Sequence, residues 1–264
     1  MLQWIDTHLH LDHPYPFTTE EYIQNAKSNG VSTLITISAE PASLQKAFEF
    51  SQKYENVFFT VGIHPHEAKF LNAEIKQLIQ KLQTDPKCVA VGEIGLDYHY
   101  NHSTPEIQQE ALIAQLHWAA EWKKPIVIHS RDAEEALLEH LKNHYIQKCS
   151  LKDAPGVIHC FSGTKNFANA CLDLGFYISF SGILTFKKTE ALREIAKQTP
   201  LNRILIETDA PYLAPVPYRG KPNQSAYMIE VAKMLSEIRG ISLETLSQAT
   251  VENSKKVFNL PASS

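Results

Sequence analysis

The chain has 264 residues, of which 44% are hydrophobic and 20% charged, an ordinary globular balance with enough apolar material for a core. Its formal net charge of −4 argues against a broad basic surface that grips duplex DNA, but not against a local cluster of cations inside a cleft. No apolar run is long enough to span a bilayer, and neither a signal-peptide start nor Cys-x-x-Cys spacing occurs, so we expect a cytoplasmic protein with reduced thiols.

Short runs rich in Val, Ile, Leu and Phe recur along the chain and predict eight buried strands. In chain order they lie at residues 3–6, 33–37, 57–61, 89–91, 126–128, 157–158, 176–178 and 204–206. The runs are apolar throughout, and amphipathic stretches separate them. This pattern is typical of parallel strands that are buried on both faces and alternate with helices.

Capping signals mark the starts of several predicted helices. Thr18 with Glu21 forms a capping-box pattern that opens a helix over residues 20–28. Asn72 is the predicted N-cap of a second helix, and Pro105 the first residue of a longer one. Two further amphipathic stretches follow the last strand, at residues 224–238 and 243–257.

Polar residues at the predicted strand ends decide between an open sheet and a closed barrel. They are His8, His10, His64, Glu93, His129, His159 and Asp209. In an open sheet the first and eighth strands rarely present their ends to the same place as the others, whereas a barrel brings every carboxyl end to one mouth. We therefore predict an α/β fold with one TIM (β/α)8 barrel domain over residues 1–264 and a metal site at the carboxyl ends of its strands.

The first candidate metal ligands come from two strand ends. His8 and His10 stand at alternate positions of an extended segment, so both side chains can face one ion. Neutral imidazole suits several divalent metals. Glu93 follows an apolar run between Gly92 and Gly95, and its two carboxylate oxygens could bridge two cations. Taken alone, each of these residues also fits an ordinary surface position.

The remaining candidates follow later strands. His129 and His159 occupy matching places at the ends of consecutive strands, which favours metal binding over a structural role in the core. Asp209 could complete the metal shell and take a proton from water, with Glu207 as the alternative carboxylate. Six ligands exceed the number that one catalytic zinc usually takes, so we predict two divalent ions, which the ligand types allow to be Mg²⁺, Mn²⁺ or Zn²⁺.

Seven motifs, in this order, strongly resemble the TatD family of metal-dependent deoxyribonucleases in the amidohydrolase superfamily. They are DTHLHLD at 6–12, GIHPH at 62–66, GEIGLDY at 92–98, PIVIHSR at 125–131, HCFSG at 159–163, ETDAPY at 207–212 and Asn253. The resemblance implies a TIM barrel with two metals bridged by Glu93. By the same resemblance, the remaining ligands would be His8, His10 and Asp209 for one metal, and His129 and His159 for the other.

The resemblance also implies roles beyond the ligand set. His64 matches the family's histidine near the scissile phosphate, and Asp97 a polar neighbour that contacts water or substrate. The run from Arg219 to Asn223 resembles the family's Arg-Gly-Lys-x-Asn segment, but Gln224-Ser225 stands where Glu-Pro is usual. This departure leaves the metal site intact and puts the start of the next helix in doubt.

Further side chains could hold a nucleic-acid strand. Arg131 offers a planar fork that fits a phosphate or carboxylate, although a structural ion pair explains it about as well. Arg219 and Lys221 could bind phosphates, and Tyr212 could stack on a base. Alternatively, the aromatic residues at the strand ends simply pack the loops of the mouth.

Three functions follow from these residues. The leading one is a metal-dependent nuclease of the 3'-5' exonuclease type, acting with catalytic Asp209, His64 and Glu93 on single-stranded DNA or RNA, because a narrow mouth admits a strand end. The second keeps the metals but cleaves an ester or amide, such as the aminoacyl ester of a charged tRNA. The third is a metal- or nucleic-acid-binding module without turnover. We expect a monomer with no membrane partner.

Overall fold

The computed structural model describes residues 2–100 and 102–261, so the ends of the predicted 1–264 domain lie outside the described residues. Eight parallel strands pair in sequence order. They are β1 (Trp4–Leu9), β2 (Val31–Thr36), β3 (Val57–Val61), β4 (Cys88–Asp97), β5 (Ile126–Arg131), β6 (Gly156–Ile158), β7 (Tyr177–Phe180) and β8 (Ile204–Ile206). Each predicted strand overlaps the observed strand of the same rank, and the predicted TIM barrel is confirmed.

Helices alternate with the strands and cover the outside of the barrel. They are α1 (Thr19–Ser28), α2 (Pro41–Lys53), α3 (Ala73–Leu82), α4 (Pro105–Trp122), α5 (Glu134–His140), α6 (Lys165–Asp173), α7 (Glu190–Gln198), α8 (Met228–Arg239) and α9 (Leu243–Phe258). The capping box of Thr18 and Glu21 and the N-cap of Asn72 are confirmed. None of these helices is both long and apolar enough to cross a membrane, within the part of the chain that the structure describes.

The barrel closes where its first strand meets the segment that follows its last strand. Leu9 forms a parallel bridge with Ala210. The Asp209 amide donates to the His8 carbonyl at 2.9 Å, and the His10 amide donates to the Ala210 carbonyl at 2.8 Å. The residues that close the barrel are therefore the residues predicted to bind metal, or their direct neighbours.

Glycines allow β4 and β5 to approach closely beside the site. A Cβ atom on Gly92 would lie 2.6 Å from the Cβ of Val127, and one on Gly95 would lie 2.0 Å from the His129 carbonyl oxygen. Gly95 also has a φ of +153°, which L side chains rarely adopt. The glycines around Glu93 thus admit the backbone of a neighbouring strand.

The predicted helix over residues 224–238 starts too early. A 3-10 turn occupies Ser225–Tyr227, and α8 begins only at Met228. The reason is local: the backbone of Gln224 is extended, with φ −154° and ψ 156°, and the Ser225 amide that follows it is bound to the Tyr22 hydroxyl at 2.9 Å. The second predicted stretch, 243–257, matches α9 to within one residue.

Candidate metal centre

Six side chains predicted as ligands converge at the carboxyl ends of the strands. His8, Glu93 and His129 lie within β1, β4 and β5, since these strands run further than their apolar stretches. His159 directly follows β6, and Asp209 lies three residues beyond β8. Five of the six, His8 excepted, line a mouth cavity of about 1490 Å³.

Glu93 lies between two groups of histidines. Its Oε1 is 2.6 Å from His159 Nε2, 3.1 Å from His129 Nδ1 and 3.5 Å from His64 Nε2. Its Oε2 faces the other way and is 3.4 Å from His8 Nε2. On that side, Asp209 Oδ1 is 3.6 Å from His8 Nε2 and 3.7 Å from His10 Nε2. One carboxylate therefore faces both groups, as a bridging ligand must.

The donor set fits divalent metals on geometric grounds. His8 is 0% exposed, yet neither ring nitrogen has a hydrogen-bond partner among the described residues. A buried polar atom without a partner is costly, so such an atom at a site of this kind calls for a ligand. Two atoms that each lie about 2.1 Å from one metal are roughly 3.0–3.5 Å apart. The distances from His8 to Glu93 and Asp209 are close to that range, and His8, His10 and Asp209 form one group that could hold an ion.

The charges of the centre are strongly coupled. Burial alone would raise the pKa of Glu93, but the charge of His159 and the hydrogen bonds from His129 and His159 outweigh it and hold that pKa well below its usual value. Burial lowers the pKa of His8, and nearby His159 lowers it further. His8 is therefore neutral at neutral pH, which is the form that binds a metal.

A second carboxylate lies behind His129. Asp97 Oδ2 is 2.9 Å from His129 Nε2 and 2.9 Å from His66 Nε2, and the Asp97 side chain is 1% exposed. Asp97 Oδ1 accepts the backbone amides of His99 and Tyr100. Because its oxygens are occupied and it does not line the cavity, Asp97 is placed to orient His129, and this placement does not favour the substrate contact that the sequence suggested.

His64 is held in a defined tautomer at the edge of the centre. Its Nδ1 accepts the His66 amide at 3.1 Å, which leaves the proton of the neutral ring on Nε2. Nε2 faces Glu93 at 3.5 Å and the ring lines the cavity. Burial holds the pKa of His64 well below its usual value, so the ring is a neutral hydrogen-bond donor.

Glu207, whose role the sequence did not decide, lies next to the ring of His159. Its Oε1 accepts the Cys160 amide at 2.6 Å and lies 3.3 Å from His159 Nδ1, on the side of the ring away from Glu93. His159 thus has a carboxylate behind it, as His129 does. Asp209 has a φ of +56°, so the segment is not extended there and the two carboxylates reach different places: Asp209 lines the cavity and Glu207 does not.

The network around Asp6 joins the first strand to the end of the barrel. Buried Asp6 accepts the Thr208 hydroxyl at 2.6 Å, the Thr208 amide at 3.0 Å and the Ser225 hydroxyl at 2.6 Å. Ser225 in turn contacts the Tyr22 hydroxyl of α1 at 2.9 Å. Ser225 thus supplies a hydroxyl and an amide, both of which a proline at this position would lack.

The predicted substrate contacts lie around the mouth. Arg131 lines the cavity, with its guanidinium carbon 4.6 Å from the centre of the Tyr100 ring. Tyr212 also lines it, is 49% exposed and bonds His13 Nε2 at 2.9 Å. Arg219 lies outside the lining but covers the ring of Phe186, which does line the cavity.

The chain is similar to known proteins over almost its full length. The family model described as TatD related DNase matches residues 5–259. An uncharacterized metal-dependent hydrolase of Bacillus subtilis (strain 168), YabD, is 36% identical over 97% of this chain and 98% of its own length. A 3'-5' ssDNA/RNA exonuclease TatD of Citrobacter rodentium is 35% identical over 91% of this chain and 92% of its own length.

A solved structure agrees with these sequence matches. The crystal structure of YJJV, a TatD homologue from Escherichia coli K12, has a TM-score of 0.90 and 31% identity, and the match covers 98% of both chains. Together with the centre of histidines and carboxylates at the barrel mouth, these matches establish that the chain belongs to the TatD-related DNase family of metal-dependent hydrolases.

Proposed function

We propose that the chain is a two-metal exonuclease that removes nucleotides from the 3' end of single-stranded DNA or RNA. The observation that carries this proposal is the Glu93 carboxylate, whose two oxygens face two separate groups of nitrogen ligands. His8, His10 and Asp209 would hold one ion, and His129 and His159 the other. Two bound divalent ions would supply an activated water and stabilise the charge that develops on a phosphodiester.

The other side chains have roles that follow from their placement. Asp209 is ionised, because His10 and His159 outweigh the effect of burial on its pKa, and its partly exposed carboxylate can accept a proton from the attacking water. His64 Nε2–H can donate to a phosphate oxygen. Asp97 holds the ring of His129 from behind at 2.9 Å, and Glu207 lies 3.3 Å behind the ring of His159.

The name of one relative supports the choice of substrate. The Citrobacter rodentium relative is called a 3'-5' ssDNA/RNA exonuclease, and 35% identity over nearly its full length makes a strand end the first substrate to test. The cavity opens at the mouth of a closed barrel, which suits one strand better than an intact duplex.

The test uses metal-stripped protein with single-stranded DNA and RNA of one sequence, labelled at either end. With Mg²⁺, Mn²⁺ or Zn²⁺ added back, we expect stepwise shortening of the 5'-labelled strand and early release of label from the 3'-labelled strand. Asp209→Asn should abolish both. Asp173→Asn removes an exposed carboxylate of α6 by the same substitution and should keep full activity. Intact strands with every metal, from protein shown to bind two ions, would reject the proposal.

A carbonyl ester is the second candidate, and the charge of the mouth favours it. The cavity is lined by carboxylates beyond the metal centre, among them Asp12, Glu40 and Glu67, which would attract the amino group of an aminoacyl ester. The same assay with aminoacyl-tRNA separates the two functions. Deacylation without strand shortening would select the ester.

A further inference from the structure

The loops that surround the mouth divide into an acidic part and a basic part. The cavity lining from the loops after β1, β2, β3 and β5, with the first turn of α5, carries six carboxylates that are not in the metal centre. They are Asp12, Glu40, Glu67, Asp132, Glu134 and Glu135. Among the described residues that line the cavity, Arg131 is the lone Lys or Arg. It lies close in sequence to three of the six carboxylates, those of Asp132, Glu134 and Glu135. This side of the mouth repels the phosphates of a strand.

The loops after β6, β7 and β8 have the opposite charge. Apart from Glu207 and Asp209 at the metal centre, residues 159–165, 181–189 and 207–224 contain no Asp or Glu. Their cations are Lys165, Lys187, Lys188, Arg219 and Lys221, all of them exposed. A polyanion that reaches the metal centre therefore meets attraction on one side of the mouth and repulsion on the other.

A stacked pair lies where the basic side meets the cavity. The Arg219 guanidinium carbon is 3.8 Å from the centre of the Phe186 ring, and Phe186 lines the cavity. Lys187 and Lys188 follow Phe186 directly. We call Phe186, Lys187, Lys188 and Arg219 the exit platform. It combines an aromatic face with cations, which is the combination that single-strand binding surfaces use to hold bases and phosphates.

The exit platform is held in place before any ligand binds. Arg193 donates from Nη2 to the Phe186 carbonyl at 2.9 Å and from Nε to the Leu184 carbonyl at 3.1 Å. The loops after β7 and β8 are joined by the Val216 amide, which donates to the Thr185 hydroxyl at 2.9 Å. These bonds fix the backbones of the two loops, which lowers the cost of ordering them when a strand binds.

We infer that the body of the substrate strand leaves the mouth across the exit platform, while its terminal nucleotide occupies the metal centre. The inference rests on the proposed function and adds the path that the substrate strand takes out of the mouth. Bases stack against the Phe186–Arg219 pair, and phosphates pass Lys187 and Lys188. The acidic loops after β1, β2, β3 and β5 disfavour a path across their side of the mouth.

The experiment measures strand binding and cleavage by a charge-reversed platform. The variant carries Lys187→Glu with Lys188→Glu. The matched control carries Lys197→Glu with Lys256→Glu, two exposed lysines in the last turns of α7 and α9 that lie outside the cavity lining. Fluorescein-labelled oligothymidylates of 2 to 12 nucleotides serve as probes, with anisotropy for binding and metal-dependent shortening for turnover. Each measurement is repeated over a range of salt concentrations.

In the double variant we expect a loss of affinity and of kcat/KM that grows with strand length and reaches about tenfold or more for the dodecamer. The slope of log affinity against log salt should fall by roughly 0.7 for each phosphate that the double variant no longer binds. The control should match the wild type in both respects. If the affinity and kcat/KM of the double variant and of the control depended equally on strand length, with equal salt slopes of affinity, the inference of an exit platform would be wrong.

The same data separate this inference from the proposed function. If no protein shortens any strand but the double variant alone loses dodecamer binding, the platform stands and the nuclease proposal fails. If all proteins shorten strands and the double variant shows no length-dependent loss, the nuclease proposal stands and the platform fails.

Discussion

The histidines that face the metal centre differ in whether a carboxylate lies behind the ring. His129 and His159 each have a carboxylate behind the ring, at 2.9 Å and 3.3 Å respectively. His8 has no such partner among the described residues, and its strand is fixed instead through the backbone and through Asp6. Asp6 therefore acts on the centre through β1, and its own hydrogen-bond partners matter for the site.

Ser225→Ala tests the hydrogen-bond network around Asp6 by removing one hydroxyl group. The change leaves the buried Asp6 carboxylate without one of its donors, so we expect the free energy of unfolding to fall by about 1–3 kcal/mol in urea denaturation. Ser254→Ala is the matched control, because Ser254 is a buried serine that bonds only the Thr250 carbonyl of its own helix. Equal losses in the two variants would contradict a special role for the Ser225 hydroxyl.

The strands were predictable in number and order because their apolar runs are short and regularly spaced. The ends of the strands could not be predicted from the same pattern, because the pattern treats polar residues as exposed loop residues. Glu93 and His129 are polar, yet both lie within strands. Alternation still placed His8 and His10 together correctly. Contacts such as Ser225 with Asp6 or Arg219 with Phe186 join distant parts of the chain and have no periodic signal.

At the scale of an element, the β4–β5 pair depends on the absence of a side chain at Gly95. In Gly95→Ala the new methyl group would lie 2.0 Å from the His129 carbonyl oxygen at an unfavourable φ. We expect a loss of about 2 kcal/mol or more in the free energy of unfolding, from overpacking and backbone strain together. Gly220→Ala is the control, since Gly220 also has a positive φ but nothing within 4 Å of the new atom. A smaller loss at Gly95 than at Gly220 would show that β4 can move away from β5.

For the whole molecule, metal binding and stability are linked, because the ligands come from strands all around the barrel. Each bound ion, at about 100 times its dissociation constant, should stabilise the fold by about 2.7 kcal/mol. For a chain of this size we expect each ion to raise the Tm by roughly 5 to 10 °C over chelator-treated protein, measured by differential scanning calorimetry. Glu93→Ala should lose this rise together with both ions. Glu74→Ala, which removes an exposed carboxylate of α3, should keep it. A full rise in Glu93→Ala would mean that Glu93 is not a shared ligand.

The closure of the barrel through His8, Asp209 and Ala210 has a consequence for synthesis on the ribosome. A growing chain that stops before residue 209 has β1 without the segment that pairs with Leu9 and His10, and it lacks the carboxylate that faces both histidines. The first and last parts of the sequence must therefore both have emerged before the centre exists. A chain that is terminated before residue 209 should therefore be unable to close the barrel or to assemble the metal centre.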